Sequence, residues 1–231
     1  MTQPQQDSHK FAPEETTGGA TAQTAYRKPN GDSPRIAGDP LVLPPGISSE
    51  TFKQFTVRAA GIVGEGNVTV VTTSEELAQE SYLEPSKAHD MYHIVEKDYF
   101  VASAVIAPRT VPEVQEIMKL CNEFKIPVWP FSVGRNVGYG GAAPRVPGSV
   151  GLDMGTNMNK ILNVDVEGAF ALVEPGVTFF DLHNYLVKNN LRDRVWIDVP
   201  DLGGGSILGN AIERGVGYTP YGDWLHFLLT S

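Results

Sequence analysis

Two glycine-rich stretches carry the residue types that hold an anion. The first, Ser132-Val-Gly-Arg-Asn-Val-Gly-Tyr-Gly-Gly-Ala-Ala-Pro-Arg145, follows the apolar run Ile126 to Trp129. Its opening residues, Ser132, Val133, Gly134, Arg135 and Asn136, combine closely spaced backbone N–H groups with a hydroxyl, a guanidinium and an amide. A diphosphate requires such a set: several donors at short range and some positive charge. The spacing is neither that of a Walker loop nor G-x-G-x-x-G. From spacing alone, a phosphate cradle and a plain surface loop fit equally well.

The second stretch, Pro200-Asp-Leu-Gly-Gly-Gly-Ser-Ile-Leu-Gly-Asn210, ends in a helix start with Ser206 as its cap. Three consecutive glycines before a cap suit close backbone approach and attraction of negative charge by the helix end. A flexible linker ending in an ordinary cap fits the same residues. Asp198 and Asp201 flank Pro200. A carboxylate beside a cofactor serves as base or charge partner, but an Asp before a helix is more commonly a turn or cap residue. Two such loops in one chain point to a long phosphorylated cofactor held along its length.

The elements that must position these loops follow from apolar periodicity. Ser48 and Ser49 open a helix in which Phe52, Phe55, Val57, Ala60 and Val63 share a face. Val68–Thr72 reads as a strand, Ser74–Ser81 as a short helix and Val101–Ala107 as a buried strand. Thr110-Val-Pro-Glu113 has the form of a capping box, opening a helix with Val114, Ile117, Met118, Cys121 and Phe124 inward. With a strand over Ile126–Phe131, this is a βαβ unit with a parallel pair. Strands are then expected over Val150–Met154, Ile161–Val166, Ala169–Val173 and Val195–Val199. Helices are expected over Phe179–Leu186, capped by Thr178, and Gly205–Glu213. The fold class read from this order is α+β in two lobes. Residues 1–45 are poor in large apolar groups and read as a disordered tail.

Composition sets limits on partners. The chain has 231 residues and a formal net charge of −9, which argues against nucleic acid or an anionic membrane surface as a partner. No apolar run has the length of a membrane span. With no secretion signal evident, an intracellular location is the default reading. The single cysteine, Cys121, lies on an apolar helix face and reads as a core residue. His89 and His93 are four apart, but no third ligand is evident, and a metal site is not expected.

Longer word-for-word patterns go further than spacing. The Ser132–Arg145 loop, Leu152-Asp-Met-Gly, Val173-Glu-Pro-Gly-Val177, Asp181-Leu-His-Asn-Tyr185 and the run from Asp198 to Asp223 resemble the vanillyl-alcohol oxidase group of flavoproteins, the 4-alkylphenol oxidases. The resemblance covers about Ser48 to Asp223. It implies a two-lobed, PCMH-type FAD-binding domain over residues 46–223, followed by a divergent tail over 224–231. It also implies FAD as cofactor, held by Ser132, Val133, Gly134, Arg135, Asn136, Pro200, Asp201, Leu202, Gly205, Ser206, Gly209, Asn210 and Gly215. In that family Asp201 stands near the reactive flavin nitrogen and Tyr139 helps bind a phenolate. The implied reaction is hydride transfer from a para-substituted phenol to flavin, with reoxidation by O2. A relative that oxidises a hydroxy acid such as lactate is the alternative enzyme, and a fragment that only binds FAD or full-length subunits is the non-enzymatic one. Full-length relatives are homo-oligomers, and some are peroxisomal, so the compartment expected is cytoplasm or peroxisome.

Two departures from the pattern bear on activity. Family members often carry a His-His pair where this chain has Tyr92-His93, and a phenol is a far weaker base than imidazole near neutral pH. Family members also continue well past the position of Asp223, whereas here the sequence reads Trp224-Leu-His-Phe-Leu-Leu-Thr-Ser231. The expectation is a truncated domain, catalytically incomplete, that binds FAD weakly or not at all and aggregates.

Overall fold

The computed structural model describes residues 36, 38–72, 100–134, 141–200, 204–213 and 215. The expected helix at 74–81 and most of the N-terminal segment lie outside the described residues, as do His89, Tyr92, His93 and the last sixteen residues.

Helix α1 (Ser49–Val63) begins where the Ser48 hydroxyl accepts the Thr51 N–H, and ends at Gly64, whose φ of 87° suits only glycine. Phe52, Phe55, Thr56, Ala59, Ala60 and Val63 recur every three or four residues and are buried. Val57, assigned to that face from sequence, points outward instead. Helix α2 (Val111–Phe124) starts at Thr110, whose side chain accepts the Glu113 N–H. The capping box is only half formed, because Glu113 reaches back to the N–H and guanidinium of Arg109 rather than to Thr110. Ile117, Leu120 and Cys121 form its buried face, and Met118 is exposed. Burial pushes the Cys121 thiol up to about 12. Arg58 and Glu123 join the two helices through a two-pronged ion pair, which holds the Glu123 carboxyl below its ordinary range.

Both helices cover one face of a four-stranded sheet. Its strands are β1 (Val68–Val70), β2 (Ala104–Ile106), β3 (Val128–Phe131) and β4 (Val150–Asp153), in the order β1-β2-β4-β3. β1 is antiparallel to β2, and the other pairings are parallel. The βαβ unit expected from sequence therefore has the right direction but not adjacent strands, because β4 lies between β2 and β3. That central position explains why β4 is buried throughout. Phe52, Phe55, Val63, Ile117, Val150 and neighbours fill the helix side of the sheet, with Phe124 edge-on to Phe55. On the opposite side Val101, Val105, Phe131 and Ala142 pack together, so the return arm of the first glycine stretch covers that face.

The second lobe is smaller. β5 (Ile161–Asp165) and β6 (Phe170–Val173) form an antiparallel hairpin with a register shift near Ile161. Helix α3 (Phe179–Lys188) opens with a complete capping box between Thr178 and Asp181. Val177, Leu182 and Leu186 form the lobe's core with Ile161, Val164, Val173 and Ile207. The strand expected over Val195–Val199 is absent. Val195 and Ile197 do join this core while Trp196 is 76% exposed, but the segment has no ladder partner among the described residues. An alternating pattern is thus present without the neighbour that makes a strand. Helix α4 (Ile207–Ile212) closes the described part.

Candidate functional site

Because β2, β3 and β4 run parallel, the turns after β3 and β4 emerge at the same edge of the sheet. That edge is where parallel sheets place their ligands. The turn after β3 carries Ser132, Val133 and Gly134. Gly134 has a φ of 64°, and an added Cβ would stand 3.0 Å from the Ala142 Cβ. Further along, Trp129 donates from Nε1 to the Gly141 carbonyl at 2.9 Å. Arg145 lies over the Trp129 ring at 5.2 Å and donates to the Ala143 carbonyl. These contacts pin the far end of the stretch to β3.

The turn after β4 is held by Asp153, which is 3% exposed. Its Oδ1 accepts the N–H groups of Gly155 and Thr156, both at 2.9 Å, and its Oδ2 accepts the Thr156 hydroxyl at 2.6 Å. Gly155 packs directly against the Ser132 carbonyl, with no room for a side chain. The turn after β6 in turn packs Gly176 against the Gly155 carbonyl, and the Gly176 N–H donates to Met158 at 2.7 Å.

The second glycine stretch joins this stack from the other lobe. Ser206, 4% exposed, donates from Oγ to the Pro175 carbonyl at 2.6 Å and accepts the Gly209 N–H at 3.0 Å. Ile207 N–H donates to Val177, and Thr178 bridges to Ser206. Gly209 faces Ser132: a Cβ there would stand 2.9 Å from the Ser132 Oγ. The two glycine stretches, more than seventy positions apart in sequence, therefore meet at Ser132 and Gly209. Asn210 follows Gly209 directly in α4, and the Gly215 N–H donates back to the Asn210 carbonyl at 2.7 Å.

Of the residues singled out from sequence, the structure thus brings together Ser132, Val133 and Gly134 with Gly205, Ser206, Gly209, Asn210 and Gly215. Val133 is buried, with its side chain against Gly155, so only its backbone faces outward chemistry. Pro200 is half-buried at the end of the irregular segment after α3. Arg135, Asn136, Tyr139, Asp201 and Leu202 lie outside the described residues. The helix end contributes less than its sequence promises, because the Ile207 and Gly209 N–H groups are consumed within the protein. Asp153, Gly155, Thr156 and Gly176 drew no assignment from sequence. An Asp followed two residues later by Gly-Thr is a signal for a side-chain-to-backbone turn.

Three features fit a diphosphate-containing group. The N–H groups of Ser132, Val133 and Gly134 donate to no acceptor among the described residues. The Asn210 Nδ2 is buried with no partner among them. The donor set is made of neutral amides and hydroxyls, which satisfy phosphate oxygens at close range. By contrast, no group of three or more His, Cys, Asp or Glu among the described residues is arranged to hold a metal. No helix among them is long and apolar enough to cross a membrane.

Comparison with known proteins agrees with this geometry. The family described as FAD binding domain matches residues 102–229, more than half of the chain. Over 188 residues the chain is 39% identical to the 4-cresol dehydrogenase [hydroxylating] flavoprotein subunit of Pseudomonas putida, covering 81% of this chain and 33% of that protein. It superposes on p-cresol methylhydroxylase with substrate bound at a TM-score of 0.70, with 39% identity over 80% of this chain and 34% of the other. For 4-ethylphenol oxidase from Gulosibacter chungangensis in its isoeugenol complex the TM-score is 0.68, with 35% identity over 78% and 32%. The chain spans about a third of the length of these relatives. With a family match across both glycine stretches, which meet at Ser132 and Gly209, the chain belongs to the FAD binding domain family, in its PCMH-type fold, and FAD is the cofactor of that fold.

Proposed function

We propose that this chain is the flavin-binding part of an oxidoreductase that removes a hydride from a para-substituted phenol. The meeting of Ser132 with Gly209 carries the flavin-binding part of this reading, because it joins the stretch bearing the N–H groups of residues 132–134 to the one bearing the buried Asn210 Nδ2, as a dinucleotide spanning both would require. FAD, when bound, supplies the hydride acceptor. The likeness to a 4-cresol dehydrogenase and a 4-ethylphenol oxidase supports the phenolic substrate class.

The roles assigned to the chain's own residues follow. Ser132, Val133 and Gly134, with Arg135 and Asn136 next to them, hold the diphosphate through backbone N–H groups and the Arg135 charge. Pro200, Asp201, Leu202, Gly205, Ser206, Gly209, Asn210 and Gly215 line the cofactor from the second lobe, with Asn210 Nδ2 as a donor awaiting an acceptor. Tyr139 donates to the phenolic oxygen and favours its deprotonated form. Asp201 offsets the positive charge that develops on the benzylic carbon as hydride departs, which requires a dry site. The same cofactor, when bound, would pass the electrons on to molecular oxygen, giving peroxide.

The test is substrate-dependent reduction of added FAD under argon, followed by admission of oxygen, by this chain joined to the remainder of a relative's sequence, because the chain spans about a third of the relatives' length. The expected result is bleaching by a 4-alkylphenol, loss of that bleaching in Asp201→Ala, and peroxide after oxygen is admitted. Reduction by lactate but not by the phenol would overturn the substrate assignment. Electron release only to a dye or cytochrome would overturn the role of oxygen.

A further inference from the structure

We infer that the turn Asp153–Asn157 is the positioning element that sets the spacing of the two glycine stretches, with Gly155 and Gly176 as its contact points. This rests on the reading that FAD spans both stretches. None of these residues needs to touch the cofactor for it.

The argument is one of stacked backbones. Ser132 rests on Gly155, Gly155 rests on Gly176, and the next residue back, Pro175, receives the Ser206 hydroxyl that caps α4. Each contact is closer than any side chain allows, and at Gly155 and Gly176 the opposing atoms are backbone that cannot swing aside. The stack therefore runs from the first glycine stretch to the second without a flexible side chain until Ser206. A displacement at Gly155 is passed to Ser132 at one end and to Gly176 at the other.

The turn itself is fixed to the first lobe at both ends. Asp153 belongs to β4 and ties down Gly155 and Thr156 through three hydrogen bonds. Asn157 donates from Nδ2 to the Ala107 carbonyl at 2.8 Å and to Asn67 Oδ1 at 3.2 Å. Asn67 is itself tied to the end of α1, through Nδ2 to the Val63 carbonyl at 2.7 Å. One short turn thus joins the end of β4, the residue after β2 and the end of α1, and presents Gly155 between the two loops. Cofactor affinity depends on such spacing being held to a fraction of an ångström.

The experiment measures FAD affinity of the full chain by absorbance-difference titration, beside the melting temperature without FAD. The variants are Gly155→Ala, Gly176→Ala, Asn157→Ala and, as a core control away from the stack, Ile117→Val. Gly155→Ala and Gly176→Ala are expected to weaken FAD binding by about tenfold or more, equivalent to ~1.4 kcal/mol. Ile117→Val is expected to lower the melting temperature and leave affinity within about twofold, a factor worth ~0.4 kcal/mol. Wild-type affinity in a folded Gly155→Ala chain would overturn the inference. If Gly155→Ala does not fold, Asn157→Ala decides: it removes the hydrogen bonds to Ala107 and Asn67 that fix the far end of the turn, and unchanged affinity there overturns the inference equally. A wild-type chain that takes up no FAD removes the functional reading as well. A wild type that binds beside variants that bind equally well removes this inference alone.

Discussion

Two buried serines in this protein have opposite hydrogen-bonding fates, and their alanine variants should separate cleanly. Ser206 Oγ both donates to Pro175 and accepts from Gly209, whereas Ser103 Oγ is buried with no partner among the described residues. Loss of a serine N-cap costs ~1 kcal/mol. Leaving the partly buried Pro175 carbonyl unpaired adds roughly 1 kcal/mol, the lower end of the range for a stranded acceptor. Ser206→Ala should therefore lose about 2 kcal/mol, a shift of about 4–8 °C for a chain of this size. Ser103→Ala gives up no hydrogen bond, because the ladder contacts of Ser103 to Val71 and Ser149 are made by its backbone. Removing an unpaired buried hydroxyl should leave stability unchanged or raise it slightly. The assay is urea unfolding followed by far-ultraviolet circular dichroism, with the denaturant slope compared between variants so that only matched transitions are read. A Ser103→Ala chain destabilised as much as Ser206→Ala would refute the reasoning, since the two sites would then differ only in name.

Three further predictions concern other parts of the molecule. Gly209→Ala places a methyl group against the Ser132 Oγ and should weaken FAD binding without unfolding the chain, as read by titration beside a thermal melt; undiminished affinity would contradict the proposed meeting point. Cys121 should resist thiol reagents at pH 8 until denaturant is added. Because its folded value is raised from 9.0 to about 12, the stability it contributes is complete below the unfolded value and declines as pH rises through that window. Glu123→Gln removes the partner of Arg58. Its effect on stability should be present at neutral pH and vanish as the pH falls through the depressed carboxyl value, and titrations of both chains by acid unfolding would show it.

Helix starts were the most legible part of the fold. Thr110, Thr178 and Ser206 read as caps and Ser48 as the start of a helix, and each accepts a backbone N–H in the structure. Local chemistry decides such positions, so a local reading suffices. Strand neighbours were less legible, since pairing is decided by residues far away. β4 between β2 and β3 is one case, and the alternation at 195–199, which forms no strand, is another. At the site, glycine-rich wording exposed both stretches but not their junction. Gly155 and Gly176 sit in ordinary-looking turns, and only the packing of Ser132 and Gly155 carbonyls against them shows what they do. Asp153 likewise reads as one residue within an apolar strand until its three hydrogen bonds are seen.

The central claim is that one FAD engages both glycine stretches together, and amide hydrogen exchange of the full chain with and without FAD tests it most directly. The account predicts that FAD slows exchange in residues 132–134 and 205–210 in parallel, with the same dependence on FAD concentration. Slowing confined to one stretch, or to neither at the highest FAD concentration reached, would contradict it.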